Sequence, residues 1–307
     1  MSELTGNGGL LEGRVVLVSG GTSGLGAAIA RAAAREGARV VVTGRRREPG
    51  EALVAALEAA GNGNGQSESG GAGAGVPGMG AGGGGGAGGG GAGGGEARGG
   101  DGGGRALFVQ ADVAEVEQAR GCVTAAVAAF GRVDCLVNAA GLTSRGTLLD
   151  TTPELFDAHV AVNLKAPFFL MQAVVADMVA RKAPGTIVNI GSTSAHGGQP
   201  YLAPYVATKA GLMGLTRNAA HAHRWDRIRI NGLNIGWTDT EGEDETQRRF
   251  HGAGDDWREK AGASLPMGKL GQPDEIADFV VFLLGDRSGV VTGSVIDWDQ
   301  HVLGAFD

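Results

Sequence analysis

Val15-Val16-Leu17-Val18-Ser19-Gly20-Gly21-Thr22-Ser23-Gly24-Leu25-Gly26 decides the fold. The run Val15–Val18 is apolar, largely β-branched and uninterrupted, the pattern of a strand buried on both faces. Glycines follow, and then Ala27 to Glu36, rich in alanine, reads as a helix that Gly37 ends. A glycine turn between a buried strand and a helix lets a pyrophosphate approach backbone N–H groups at the helix start. The spacing here, Gly20-x-x-x-Gly24-x-Gly26, is one residue different from the common G-x-G-x-x-G.

The alternation continues outward from that turn. Val40–Val42 reads as a strand, Glu51–Ala60 as a helix, Leu107–Val109 as a strand and Val116–Phe130 as a helix. Val133–Asn138 is the fourth strand. A long helix follows over Glu154–Arg181, bent at Pro167. Thr186–Ile190 and Ile228–Asn231 are further strands around a helix at Tyr205–His223, and Pro273–Leu284 is a helix before a short strand at Val295–Asp297. This order predicts a single α/β domain over residues 1–307. Its core is a doubly wound, Rossmann-type, mostly parallel sheet with helices on both faces. Ligands in such sheets bind beyond the carboxyl ends of the strands.

The chain has 307 residues, 42% of them apolar, which suits a sizeable buried core. No uninterrupted run of 18 apolar residues exists, so no membrane span is expected. The N-terminus does not read as a secretory signal. A net charge of -7 argues against nucleic acid as a partner. Cys122 and Cys135 are the only cysteines; Cys135 lies in an apolar run and reads as a buried thiol, which fits a reducing cytoplasm. From Gly61 to Gly104, 26 of 44 residues are glycine. Such a segment has almost no side chains to bury and a high ordering entropy, so residues 62–103 read as a disordered insertion in one helix-to-strand loop. It would lie at the edge of the sheet opposite the ligand site.

The end of the second strand bears on the cofactor. An acidic residue there would hold the adenosine ribose hydroxyls of NAD(H). Gly44 stands there instead, followed by Arg45, Arg46 and Arg47. Guanidinium groups pair with a 2′-phosphate, which favours NADP(H), with NAD(H) the alternative and a solvated basic turn the plainer reading. Further along, Tyr205 and Lys209 are four apart and share a helix face. A free tyrosine, with a pKa of about 10, is a poor acid–base catalyst at neutral pH. A nearby ammonium is expected to lower it, so that Tyr205 protonates a carbonyl oxygen or takes an alcohol proton in reverse. Ser192 can hydrogen-bond the same oxygen.

With these residues together the chain resembles the short-chain dehydrogenase/reductases, in their shorter single-domain branch. Ser19-Gly20-Gly21-Thr22-Ser23-Gly24-Leu25-Gly26 is similar to the family's T-G-x-x-x-G-x-G, with serine for threonine. Asp112-Val113 matches its adenine-contacting pair, Asn138-Ala139-Ala140-Gly141 its N-N-A-G, and Asn163, Ser192, Tyr205 and Lys209 its catalytic tetrad. The resemblance runs from about Gly13 to Gly304, apart from the insertion. It implies cofactor contacts at Gly20, Thr22, Ser23, Gly24, Leu25, Gly26, Arg45, Asp112, Val113, Asn138, Ala140, Tyr205, Lys209, Gly236, Thr238 and Thr240. Lys209 would bind the nicotinamide ribose, Asn163 would hold a relay water, and hydride would pass between nicotinamide C4 and the substrate carbon. The resemblance also implies a homo-oligomer, a tetramer or dimer, with Glu154–Arg181 and Tyr205–His223 as candidate contact helices.

Two departures stand out. The family's Pro-Gly after the sixth strand is Ile235-Gly236, which is expected to loosen or re-aim the Trp237–Thr240 loop. Its terminal Asp-Gly-Gly is Asp299-Gln300-His301, where altered packing is expected. The charged stretch Glu241–Lys260 matches the family's mobile substrate lid. Ser192, Tyr205, His196 and Trp237 are the candidate substrate contacts, set against a solvent histidine and a lid-packing tryptophan. His221 and His223 are two apart on a helix and cannot share a face, so no metal site is expected. The substrate is expected to be a small carbonyl compound or alcohol. A catalytically silent nucleotide sensor and a longer-branch epimerase are the rivals; the intact tetrad argues against the first and the glycine spacing against the second. Deleting Asn62–Gly103 is expected to leave circular dichroism, melting and turnover intact; loss of any of them would give the insertion a role.

Overall fold

The computed structural model describes residues 8–63 and 104–302. The described strands are β1 (Val15–Ser19), β2 (Arg39–Gly44), β3 (Ala106–Gln110), β4 (Cys135–Asn138), β5 (Gly185–Ser192), β6 (Ile228–Ile235) and β7 (Val295–Trp298). They form one parallel sheet in the order β3-β2-β1-β4-β5-β6-β7. The chain winds outward from β1 to β3, then crosses back to β4 and winds the other way. The crevice at this β1/β4 reversal is where a doubly wound sheet binds a ligand.

Alternation along the strands supplies two cores. Val16, Val18, Val40, Val42, Val137 and Val188 face α1 (Gly24–Arg35), α2 (Arg47–Gly63) and α9 (Pro273–Leu284). Val15, Leu17, Val41, Leu136, Ile187 and Ile230 face α3 (Val116–Phe130), α5 (Ala166–Ala180) and α6 (Ala203–His223). Each such side chain contributes roughly 1.5–3 kcal/mol on burial. A one-residue slip in β1 would exchange Leu17 for Val16 and Val18 across the sheet, so burial on both faces holds the register. Both cysteines are buried and unpaired.

The remaining helices are α4 (Pro153–Val160), α7 (Glu241–His251) and α8 (Trp257–Ala263). The structure corrects several expected boundaries. α2 starts at Arg47 rather than Glu51, so the third arginine lies in the helix. β5 runs on through Ser192, and β6 through Ile235. The expected helix over 154–181 is two helices joined by a π-turn, Ala161–Lys165, in which the Ala166 N–H reaches back to the Ala161 carbonyl. Pro167 lies in the first turn of α5 and has no N–H for the Asn163 carbonyl four residues earlier. The interruption therefore sits at Asn163, and π-turns of this kind are frequent at functional sites.

By length and composition alone the stretch Pro153–Ala180 is long and apolar enough to cross a bilayer, a test that the core helix of a globular protein also passes. Here Leu170, Met171, Val174 and Met178 pack into the second core. The glycine-rich insertion expected at 62–103 lies outside the described residues from 64 on. Its described flanks meet the sheet at the amino end of β3, where the Arg105 and Ala106 N–H groups both donate to Glu58 Oε1, at 2.6 and 2.7 Å. That end is opposite the β1/β4 crevice.

Candidate active site

The glycine turn closes the floor of the crevice. Gly20 has φ +72°, and a Cβ there would sit 2.6 Å from the Ala140 backbone. A Cβ on Gly26 would overlap the Gly20 carbonyl oxygen. The first turn of α1 carries no acidic residue, and its N-cap, Ser23, makes no side-chain capping bond. The helix start therefore keeps free N–H donors and a free hydroxyl, with Thr22 beside it, which suits a phosphate group. Gly24 lies 3.7 Å, as a Cβ, from Thr240, so the loop after β6 reaches this turn. Leu25 packs, half-buried, on the first core.

At the end of β2, a Cβ on Gly44 would lie 2.7 Å from the Thr22 side chain. A carboxylate side chain at this position would require Thr22 to move. Arg45 and Arg46 are exposed and make no ion pair among the described residues, whereas Arg47 pairs with Glu51 and Gln110. Asp112 accepts from the Ala114 N–H (3.1 Å) and its own N–H donates to Gln118, which holds the turn in which Val113 is buried.

Two asparagines build the frame rather than face the crevice. Asn138 Nδ2 donates to Asn189 Oδ1 (2.8 Å), and Asn189 donates on to Thr216 Oγ1 (2.9 Å), clamping β4 to β5 and α6. Asn163 is fully buried. Its Oδ1 accepts from the Leu142 N–H (2.8 Å), and its Nδ2 donates to the Leu142 carbonyl (3.0 Å) and to Thr208 Oγ1 (3.2 Å). Its carboxamide is thus engaged in holding the loop after β4.

Ser192 ends β5, and its Oγ accepts from the Ser194 N–H (3.2 Å). Tyr205 and Lys209 stand on α6, with the ammonium 5.7 Å from the tyrosine ring centroid. Lys209 is 4% exposed, and its Nζ donates to the Ile190 carbonyl at 2.8 Å. Burial pushes its pKa down to about 8. Two of its three donors have no partner among the described residues. Tyr205 differs from the expectation. Burial raises its pKa; the hydrogen bond with Ser192 lowers it, Glu243 raises it and Arg145 lowers it. Lys209 is not what sets it here, and the phenol is neutral at neutral pH.

The loop after β6 is tied rather than loosened. The Gly236 N–H donates to the Trp298 carbonyl (3.1 Å), Thr238 Oγ1 donates to the Gly236 carbonyl (2.9 Å), and Thr240 caps α7 by accepting from the Glu243 N–H (3.1 Å). Gln300, one of the departures, accepts from the Met267 N–H and donates to the Lys269 carbonyl. In the lid segment, Trp237 stacks on Trp257 at 6.2 Å and donates to Glu243 Oε1 (2.8 Å). Arg258 bridges Asp239 and Asp244. His196 is turned to Asp297 (2.9 Å) and Asn234 (3.3 Å), on β7 and β6.

The structure thus gathers Ser192, Tyr205, Lys209 and Asn163 at the carboxyl edge of β5 and its neighbouring helices, and engages His196 elsewhere. Sequence reasoning missed Arg145, Tyr201 and Phe250, which meet over the loop after β4. The available signal was a lone arginine in Leu142-Thr143-Ser144-Arg145-Gly146, directly past a strand's carboxyl end. Among the described residues no group of three potential metal ligands occurs.

A family model described as short chain dehydrogenase matches residues 14–66, and one described as enoyl-(acyl carrier protein) reductase matches residues 97–300. L-rhamnose 1-dehydrogenase (NAD(P)(+)) of Sphingomonas sp. is 31% identical, over 94% of this chain and 95% of that protein. 3-Oxoacyl-(acyl-carrier-protein) reductase FabG of Thermotoga maritima is 30% identical, over 94% and 97%. A solved variant of a short-chain dehydrogenase/reductase from Serratia marcescens superposes with a TM-score of 0.73 at 27% identity, covering 94% of this chain and 98% of that one.

The buried ammonium has a measurable signature. Its pKa is about 8 folded against 10.5 unfolded, so between those values the unfolded chain binds the proton that the folded chain has lost, and stability rises with pH. Wild type is expected to gain roughly 3 kcal/mol over Lys209→Met from pH 8 to 10.5, read from urea denaturation of both. A difference flat in pH would show that Lys209 is not desolvated.

Proposed function

The chain belongs to the short-chain dehydrogenase/reductase family of oxidoreductases, and from that premise we propose that it transfers hydride between NADP(H) and a carbonyl or secondary alcohol, with Tyr205 as general acid and base. The observation that carries this reading is a nearly buried ammonium with two spare donors, standing beside Tyr205, whose pKa the neighbouring Ser192 hydroxyl lowers. A buried cation with unused donors is costly unless a polar ligand completes it. The ribose hydroxyls of a dinucleotide, with its phosphates on the start of α1, fit that need.

A bound nicotinamide dinucleotide supplies the hydride donor or acceptor. The residues of this chain handle the proton. Tyr205 carries its proton at neutral pH, the state required to protonate a carbonyl oxygen held by Ser192. The phenolate that forms is favoured by the Ser192 hydroxyl and the Arg145 charge, both of which lower the Tyr205 pKa. The carboxamide of Asn163 is engaged by Leu142, which leaves its main-chain carbonyl, freed by Pro167, as the group for a relay water. Thr240 approaches the glycine turn at Gly24, and Gly236 and Thr238 lie on the same loop.

NADP(H) is favoured over NAD(H) because Arg45 is unpaired and Gly44 is closed off by Thr22. A silent sensor is the weaker reading, since the sequence keeps all four members of the expected tetrad, Asn163, Ser192, Tyr205 and Lys209. Assembly as a dimer or tetramer is part of the same proposal, with Phe156, Phe168 and Val179 exposed on α4 and α5. Two buried unpaired thiols suit a reducing cytoplasm.

Tyr205→Phe is expected to reduce turnover at least about a hundredfold while NADPH fluorescence titration gives an unchanged Kd; retained turnover would remove Tyr205 from its role. For the cofactor, kcat/KM with NADPH is expected to exceed that with NADH, and Arg45→Ala to narrow the ratio by about tenfold. An NADH preference that survives Arg45→Ala would overturn the assignment.

A further inference from the structure

Arg145 lies in the loop after β4, and its guanidinium is 5.3 Å from the Tyr201 ring centroid and 5.8 Å from that of Phe250. Tyr201 comes from the segment before α6, and Phe250 from α7. Three separate segments around the candidate site therefore converge on one cation. The loop is fixed to the start of α6: the Gly146 N–H donates to the Tyr201 carbonyl (2.9 Å) and the Ala203 N–H to the Gly146 carbonyl (3.0 Å). Those bonds set Arg145 a few residues from Tyr205, close enough for its charge to act on the phenol.

Arg145 Nη1 donates to the Thr143 carbonyl (2.8 Å), Nε is buried with no hydrogen bond, and no carboxylate among the described residues lies within ion-pair distance. The guanidinium lies over the Tyr201 and Phe250 rings, which offset part of its desolvation. Its Nη2 has no hydrogen-bond partner among the described residues, and its N–H donors form the fork that matches an oxyanion. Glu243, the opposing charge near Tyr205, is already held by Trp237 and Gln247. Its negative field favours a singly charged partner over a phosphate.

We propose that Arg145 is a substrate-binding residue that recognises a carboxylate on the carbonyl substrate, so that the enzyme acts on oxo acids or, in reverse, hydroxy acids. This inference rests on the carbonyl-reductase reading above. It assigns to Arg145 the discrimination that the tetrad, common to any carbonyl, does not provide.

The test uses the full chain with NADPH and three matched pairs: acetoacetate, levulinate and benzoylformate, each against its methyl ester. Wild type is expected to favour the acids by roughly 10- to 100-fold in kcat/KM, mainly through KM, the size of a charge-assisted pair. Arg145→Leu is expected to bring the ratio to within about threefold of one by raising KM for the acid, and Arg145→Lys, which lacks the fork, to fall between. NADPH affinity unchanged within about twofold reports that each variant is folded. Equal rates on acids and esters in wild type, or a preference that survives Arg145→Leu, would overturn the assignment. Turnover of no pair despite bound NADPH would defeat the carbonyl-reductase reading itself, and this inference with it.

Discussion

The ammonium group Lys209 Nζ lies inside the fold with the Ile190 carbonyl as its one partner among the described residues. Removing a charge from water is unfavourable by several kcal/mol unless something compensates. Much of the surrounding structure serves that group. Ile190 is on β5, two residues before Ser192, and Lys209 is one helical turn after Tyr205 on α6. The same hydrogen bond therefore fixes the strand that carries the serine against the helix that carries the tyrosine. Lys209 brings three chemically distinct groups to one point, and its unsatisfied donors define where a polar ligand completes the site.

The supports of this arrangement are polar and buried. Asn138, Asn189 and Thr216 tie β4, β5 and α6 behind the site, while Asn163 ties the π-turn to Leu142 on the loop after β4. Thr208, one residue before Lys209, accepts from Asn163 and donates to the Tyr205 carbonyl at 2.9 Å. Displacing Asn163 would disturb the loop, the start of α6 and the freed carbonyl together. Networks of this kind specify one geometry because each buried polar group left unpaired is penalised. Around this frame the walls are made by loops, and there the chain presents Arg145, Trp237 and Phe250, side chains that a generic proton-handling centre does not need.

The sheet was legible because its strands are uninterrupted apolar runs and its first turn is built of glycines; Val15–Val18 read correctly from composition alone, while the helix after the turn starts at Gly24, three residues before the expected Ala27. α3 and α9 also matched their expected bounds, since a glycine ends each. The π-turn was not legible. Its cause, the missing N–H of Pro167, was visible and read as a bend, but a bend and a one-residue bulge have the same local signature. β5 and β6 proved longer than expected because Gly191, Ser192 and Gly232 carry little strand propensity and are held by pairing. The direction of the Tyr205 shift was misread for a related reason: spacing shows that an ammonium is near, and only the folded environment shows that burial, not Lys209, dominates the shift. Contacts between distant loops, such as Arg145 with Tyr201 and Phe250, leave no periodic trace at all.

Desolvation of Lys209 is the claim on which the rest of the account stands. It is measured most directly by following the lysine side-chain resonances of isotopically labelled protein through a pH titration in the absence of cofactor, with Lys209→Met to assign the signal. The account predicts that the Lys209 signal titrates near pH 8. A Lys209 signal titrating at the ordinary lysine value, near 10.5, would contradict it.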